Sequence, residues 1–396
     1  MSAPHQNRNI ALLSAAQALL FTNNVTLIAL NGLVGYQLAA DKSFATLPVT
    51  AQVVGSALFA MPASQLMQRI GRRSGFLVGT VCGLIGGAVA TYGVYIHSML
   101  LLCVGTFILG IYGAFGQFYR FAAADAAPAD FKAKAISLVV AGGLVGGIVG
   151  PALSTLTRQL ADIEFLASYA SLMVFCLFTA VILSQLRITE AAPVAGSAAP
   201  RRLREIALQP VFMVAVVSSA FGYGVMNLLM TATPLAMGVC GYPYSDAANV
   251  ISAHVIAMFA PSFFTGALIK RFGVLNMMLC GVALMFVCLA VSLSGVSVAH
   301  FWFSLVLLGL GWNFMFVGGS ALLTECYEPQ EKASAQGLHD LLVFCTTATS
   351  SFASGLLLKA NGWMILNYVA MPFLLAALFA TAWLVRRRWR AAQALR

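Results

Sequence analysis

The chain has 396 residues, of which 60% are hydrophobic and 9% are charged, and its net charge is +10. A soluble domain carries about 25% charged residues, so this composition excludes a water-soluble protein and indicates a lipid environment. A membrane-spanning helix needs about 20 mostly apolar residues. Twelve such helices leave little room for a soluble domain, so we expect an all-α membrane protein that is not an enzyme.

The hydrophobic runs predict twelve spans, divided six and six by a polar stretch. The first run is too long for the apolar core of a signal peptide, so we expect it to remain in the protein. The spans are expected near residues 10–38, 46–68, 75–96, 98–119, 134–157, 165–186, 209–236, 246–269, 274–296, 300–322, 334–358 and 362–385.

Residues 187–208 form the longest polar stretch and resemble a flexible cytoplasmic linker. They separate an N-terminal half, residues 1–186, from a C-terminal half, residues 209–396. Each half has the pattern x-x-Leu-x-x-Arg-x-Gly after its second span, once at residues 64–71 and again at residues 266–273. Duplicated six-helix halves are typical of secondary transporters.

The basic residues predict the orientation of these spans. With a cytoplasmic N-terminus, only Lys42, Arg158 and Lys359 lie in extracytoplasmic loops, and 19 of the 22 basic residues face the cytoplasm. By the positive-inside rule, both termini are expected in the cytoplasm of a bacterium, with the spans in its inner membrane. This bias also accounts for the positive charge without a nucleic-acid partner.

The duplicated loop resembles that of the major facilitator superfamily, whose signature is Gly-x-Leu-x-Asp-Arg-x-Gly-Arg-Arg. The first loop matches this signature at five positions, namely Leu66, Arg69, Gly71, Arg72 and Arg73. It departs at Ser64, which replaces glycine, and at Gln68, which replaces the acid of the family's charge latch. The resemblance implies the superfamily fold, with 12 transmembrane helices in two six-helix halves. The glycine-rich run 142–151 resembles the family's Gly-Pro motif and also suits close helix packing.

Ionisable residues inside a membrane are costly, so they are the first candidates for a functional site. None of the twelve acids falls in the middle of a predicted span; Asp246 opens the eighth, and Asp340 lies two turns into the eleventh. This placement argues against a cationic organic substrate and against proton coupling through a carboxylate. Among the five histidines, only His254 lies well inside a predicted span.

Two motifs share one spacing. Met226 and Met230 in the seventh span, and His254 and Met258 in the eighth, are each four residues apart and so share a helical face. Counted from the connecting loop, Met230 lies at the depth of His254 and Met226 at the depth of Met258. If these faces meet, the four neutral ligands suit Cu(I), because thioethers select it and imidazole also binds copper. The alternative is that the methionines fill gaps in the core and the histidine is a buried hydrogen-bonding residue.

The paired motifs also resemble the signature of the CcoA-like copper importers of this superfamily, which supply copper for assembly of cbb3-type cytochrome oxidase. The resemblance implies import of copper as substrate, no prosthetic group, and copper chaperones as possible partners beside the lipid bilayer. The same group includes a riboflavin carrier. Secondary candidates for copper transfer are Met237 and Cys240 at the outer end of the seventh span, and Cys326 and His339 beside the loop between the tenth and eleventh spans.

We therefore expect a copper importer that works by alternating access around the midplane. A first rival is a carrier of a small organic molecule such as riboflavin or a drug, with the methionines lining a cavity and aromatic residues such as Trp312 contributing to it. A second rival is a receptor or assembly factor that binds copper without transporting it.

Overall fold

A computed structural model describes residues 3–40, 44, 47–187 and 201–394. Two expectations fall on positions outside these ranges, Lys42 and the greater part of the expected linker, residues 188–200. Fifteen α-helices and a short 3-10 helix, Ala129–Phe131, form the described chain. The α-helices are α1 (Ala3–Leu38), α2 (Leu47–Ile70), α3 (Arg72–Tyr95), α4 (Met99–Gly116), α5 (Tyr119–Asp125), α6 (Lys132–Ala141), α7 (Gly143–Thr157), α8 (Leu166–Ser184), α9 (Leu203–Ala207), α10 (Pro210–Val239), α11 (Tyr244–Phe259), α12 (Ser262–Phe272), α13 (Val274–Ser294), α14 (Val298–Leu323) and α15 (Lys332–Ala394).

The predicted spans are confirmed. Within the described ranges, eleven helical segments are long and apolar enough to cross a membrane, and a bent pair supplies a twelfth. That pair is α11 and α12, which meet at an angle of 43°. Pro261 lies at the break and has no backbone N–H to donate, which explains why the eighth span does not continue as one helix. Gly362, with a φ of 73°, divides α15 into the last two spans.

The chain forms two compact units. The first contains Met1–Pro128, Leu138–Ser197 and the short segment Gln336–Leu341, and the second contains Ala129–Ser137, Ala198–Ala335 and Leu342–Arg396. The division of the chain at residues 187–208 stays a prediction. The duplicated loop glycines adopt matching conformations, with φ of 89° at Gly71 and 86° at Gly273. These left-handed values are a reason for glycine at both positions.

The core of the first unit lies among α1, α3, α4 and α8. A separate contact, between α1 and α7, depends on glycines that let the two helices approach closely. An added Cβ at Gly146 would lie 2.5 Å from Phe21 Cβ, and one at Gly150 would lie 2.9 Å from Val25 Cβ. The glycine-rich run therefore lets α7 pack tightly on α1. The apolar core cluster consists of Leu27, Leu30, Val34, Ala90, Val94, Leu102, Leu109, Phe165, Tyr169 and Leu172.

The second unit is organised around α14, which is buried along most of its length and contacts α10, α11 and α13. An added Cβ at Gly309 would lie 2.7 Å from the backbone oxygen of His254, so α11 and α14 touch through their backbones. On α10, Gly222 and Ser219 face Met315 and Gly319 of α14. These contacts set the positions of the two predicted motifs.

Candidate functional site

The predicted methionines of α10 lie beside the central helix of the second unit. Met226 is 2% exposed and follows Gly222 by four residues, which places it on the side of α10 that faces α14. Met230, one turn further along, is half-buried. Met226 is thus a residue of the packed core in this structure.

His254 of α11 is fully buried, and its Nδ1 lies 2.7 Å from the carbonyl oxygen of Leu305 on α14. A carbonyl can only accept, so Nδ1 carries the proton and Nε2 presents a lone pair. That Nε2 has no hydrogen-bonding partner among the described residues. Met258, four residues on, is also buried, and its backbone carbonyl accepts a hydrogen bond from Asn313 of α14.

Both motifs therefore lie on helices that pack against α14. The described residues contain no group of three or more His, Cys, Asp or Glu side chains that could hold a metal, and the predicted site would depend on methionine sulfurs instead. Metal binding by Met226, Met230, His254 and Met258 stays a prediction.

The secondary candidates occupy different environments. Met237 is fully buried in α10, whereas Cys240, just after that helix, is exposed. The Cys326 thiol is buried and donates to the carbonyl of Leu323, three residues before it. His339 is buried in the first unit, with Nδ1 2.8 Å from Asp340. Their role in copper transfer stays a prediction.

A cavity of about 350 Å³ opens on another face of α10. Met226 follows Val225 in sequence and is rotated from it by about 100° around the helix, so the motif and the cavity use different faces. Asn227 donates to the carbonyl of Thr347 and to Ser350 beside the cavity. The lining is apolar apart from a thiol, hydroxyls and backbone, and consists of Phe221, Gly224, Val225, Leu228, Cys345, Thr346, Thr349, Ser350, Ala353, Val369 and Phe373.

An aromatic cluster lies where α10, α11 and α14 meet, and it consists of Tyr223, Phe259, Trp312 and Phe316. Trp312 stacks on Phe316 with ring centroids 5.0 Å apart, and it meets the rings of Tyr223 and Phe259 edge-on at 5.4 and 5.7 Å. Its indole N–H is buried and has no hydrogen-bonding partner in the described part of the chain. Trp312, Phe259 and Phe316 are at most 5% exposed, so the cluster belongs to the packed core and contains one buried donor without a partner among the described residues.

Ion pairs near the duplicated loop show how the first unit compensates for the missing loop acid. Arg72, only 4% exposed, lies 3.1 Å from Asp125 and 2.5 Å from the side-chain oxygen of Gln336. Arg120 lies 2.5 Å from Asp340, which is also buried. The loop arginine therefore has a carboxylate partner after all, supplied by α5 instead of the loop itself.

Four neutral side chains of the first unit form a hydrogen-bonded chain that the sequence motifs do not indicate. The Tyr169 hydroxyl lies 2.7 Å from Asn31 Oδ1, and Asn31 Nδ2 lies 3.3 Å from Gln52 Oε1. Gln52 Nε2 in turn lies 3.3 Å from Asn24 Oδ1. Asn24 and Asn31 are seven residues apart and so lie on one face of α1. This spacing is the feature of the sequence from which a polar chain on that face could have been predicted.

The comparisons with known proteins agree with this architecture. The Major Facilitator Superfamily profile matches residues 12–261 and 241–394. Two solved structures share the fold: the human organic anion transporter MFSD10, with a TM-score of 0.77 at 13% identity over 95% of this chain and 99% of that one, and the E. coli fucose:proton symporter FucP, with a TM-score of 0.72 at 17% identity over 94% and 98%.

The riboflavin transporter RfnT of Brucella anthropi is 40% identical to this chain over 390 residues, which are 98% of each protein. This similarity contradicts the expectation of copper import, since it favours the organic-molecule carrier that was the first rival. The expectation went wrong because neutral methionines and a buried histidine suit both a soft cation and the packed core around α14. With a matching profile along nearly its whole length and this full-length relative, the chain belongs to the major facilitator superfamily.

Proposed function

We propose that this protein carries riboflavin, or a closely similar uncharged heteroaromatic molecule, across the bacterial inner membrane. The observation that carries the proposal is the 40% identity to the riboflavin transporter of Brucella anthropi over 98% of both chains. Similarity that extends over all spans includes the segments that build any internal binding site.

The second unit supports this proposal with space and surface for a flat ring. Ligand pockets have volumes of roughly 300–1,000 Å³ and are mostly apolar with a few polar groups. The cavity beside α10 has about 350 Å³ and combines Phe221 and Phe373 with the hydroxyls of Thr349 and Ser350.

The distribution of charge also supports an uncharged substrate. In the described spans the buried carboxylate is Asp340, and it is neutralised by Arg120. A neutral substrate needs no counter-charge within the membrane, whereas an organic cation would gain from one. The isoalloxazine ring and ribityl chain of riboflavin are uncharged at neutral pH.

The finer resemblance to the CcoA-like group fits this proposal, because that group includes a riboflavin carrier. The excess of basic residues in the expected cytoplasmic loops supports an inner-membrane protein with both termini inside. We propose this orientation together with the function.

Uptake of radiolabelled riboflavin by a bacterial riboflavin auxotroph without its own carrier tests the proposal. Expression should restore growth at low riboflavin and raise uptake, and purified protein should do the same in proteoliposomes. Ala353→Trp, which fills the cavity, should reduce uptake, whereas Ala376→Trp at an exposed position of the following span should not. Absence of riboflavin flux in proteoliposomes that contain folded wild-type protein would overturn the proposal.

A further inference from the structure

The chain of neutral side chains in the first unit has a buried end and an accessible end. Tyr169 and Asn31 are fully buried, Gln52 is 9% exposed, and Asn24 is half-buried. The ring of Tyr169 belongs to the apolar core cluster. The polar path therefore leads from the packed interior of the unit to a more open position on α1.

Each hydrogen bond in this chain points the same way. The Tyr169 hydroxyl donates to Asn31, Asn31 donates to Gln52, and Gln52 donates to Asn24. An amide that accepts at its oxygen becomes a stronger donor at its nitrogen, because successive bonds polarise one another. The chain thus ends in the polarised Nδ2 of Asn24, for which the described residues supply no acceptor.

The surroundings determine what kind of acceptor suits this donor. Between Ile10 and Leu38, α1 has no Asp, Glu, Lys or Arg; the same holds for α8, and for α2 up to Arg69. An anionic group would therefore lose its hydration here without gaining a cation in return. A neutral carbonyl oxygen bears partial negative charge and costs far less to desolvate.

We propose that Asn24 Nδ2 donates a hydrogen bond to a carbonyl oxygen of the transported ring, and that Gln52 and Asn31 position it. This inference rests on the proposed function, since the pyrimidine-dione ring of riboflavin carries two such carbonyls. The hydrogen-bonded chain makes Asn24 a specificity-determining residue for uncharged ring carbonyls. Hydrogen bonding that merely joins α1, α2 and α8 would instead leave substrate choice unaffected.

The test compares riboflavin with analogues in which sulfur replaces one ring carbonyl oxygen, because sulfur is a much weaker acceptor. Wild-type protein should transport at least one of the two thio analogues with a KM about fivefold above that of riboflavin, the loss expected for one neutral hydrogen bond. Asn24→Ala and Asn24→Ser should raise the KM for riboflavin by about the same factor. They should also abolish the difference in KM between riboflavin and that thio analogue.

Asn23→Ala is the matched control, because Asn23 is adjacent in sequence and bonds the Leu172 carbonyl and the Cys176 sulfur instead of the chain. This change should leave the discrimination intact even where it lowers the amount of folded protein. Calorimetric binding of riboflavin and the thio analogues to wild-type protein in detergent keeps the test independent of how well the variants fold.

The outcomes separate the two proposals. Equal affinity of wild-type protein for riboflavin and for both thio analogues overturns the role of Asn24, and so does discrimination that persists in both Asn24 variants. Absence of riboflavin transport by folded wild-type protein instead overturns the proposed function.

Discussion

The break between α11 and α12 should depend on one side chain of α14. Asn313 Nδ2 donates to the backbone carbonyl of Met258 at 2.6 Å and to the hydroxyl of Ser262 at 2.5 Å. Its Oδ1 accepts from the hydroxyl of Thr265 at 2.7 Å. Because the helical ladder breaks at Pro261, Asn313 supplies the Met258 carbonyl with the donor that a continuous helix would supply from its own backbone.

Asn313→Ala removes three hydrogen bonds, each worth about 0.6 kcal/mol between membrane helices. It also leaves the Met258 carbonyl without this donor, at an added cost of about 1–3 kcal/mol. We expect a total loss of about 3–5 kcal/mol, which lowers a thermal unfolding midpoint by roughly 6–20 °C at the ~2–4 °C per kcal/mol of a domain of about 150–250 residues.

The measurement is thermal unfolding of purified protein in detergent, monitored by tryptophan fluorescence. Size-exclusion chromatography checks that each sample is monodisperse before heating. Asn276→Ala is the control, since Asn276 is exposed and its side chain bonds the Phe272 carbonyl one turn before it. Its midpoint should change by less than 2 °C. A midpoint for Asn313→Ala within 2 °C of the Asn276→Ala value would refute the argument that Asn313 stabilises the bend.

Three further changes test local parts of the fold. A hydrogen bond from the Arg201 guanidinium lowers the pKa of Glu331 from 4.5 to about 2. The stability that this pair contributes is therefore present above pH 4.5 and is lost as the pH falls towards 2. The destabilisation caused by Glu331→Gln, measured by unfolding across that range, should become smaller as the pH falls. Gly110→Ala would place a Cβ 2.1 Å from a backbone oxygen of α2, so it should cost about 1–3 kcal/mol and reduce the folded yield, whereas Gly238→Ala, which meets nothing within 4 Å, should not. Gly362→Ala forces a left-handed φ of 73° on a residue with a side chain, so its unfolding midpoint should fall by an amount that corresponds to about 1–2 kcal/mol.

The fold could be predicted from the sequence because lipid imposes a simple rule. Each span needs a long apolar run, and those runs are visible without knowledge of their partners. The bend in the eighth span was less visible, since Pro261 marks it but Asn313, 52 positions later, is what satisfies the break. Likewise, the loop signature predicts an acid at position 68, which is Gln68 here. The acid that pairs with Arg72 is instead Asp125, which is far from the loop in sequence.

The substrate could not be predicted from the same residues for a physical reason. Methionine and histidine side chains that could bind a soft cation also fill space between helices, and only packing decides between the two uses. Here both motifs lie on helices that pack against α14: α10 packs through Gly222 on Met315, and α11 packs through Gly309 and the bond from His254 to Leu305. The spacing of the motifs correctly placed them on single helical faces, but it could not show what those faces contact.

In the described spans the buried carboxylate, Asp340, is paired with Arg120, and this restricts the cargo more than it identifies it. The first unit offers an ordered chain of amides, and the second offers an aromatic cluster with an unused indole donor. The chain of amides contains no carboxylate to pair with a cation, and Arg72 and Arg120 already have carboxylate partners, so neither offers a counter-charge to an ionised substrate. A flat molecule with ring carbonyls and hydroxyls has an edge that amides can bond and a face that an apolar cavity can cover. The proposal of an uncharged heteroaromatic substrate therefore rests on the full-length similarity to the riboflavin transporter of Brucella anthropi, and the neutral side chains of each unit are compatible with it.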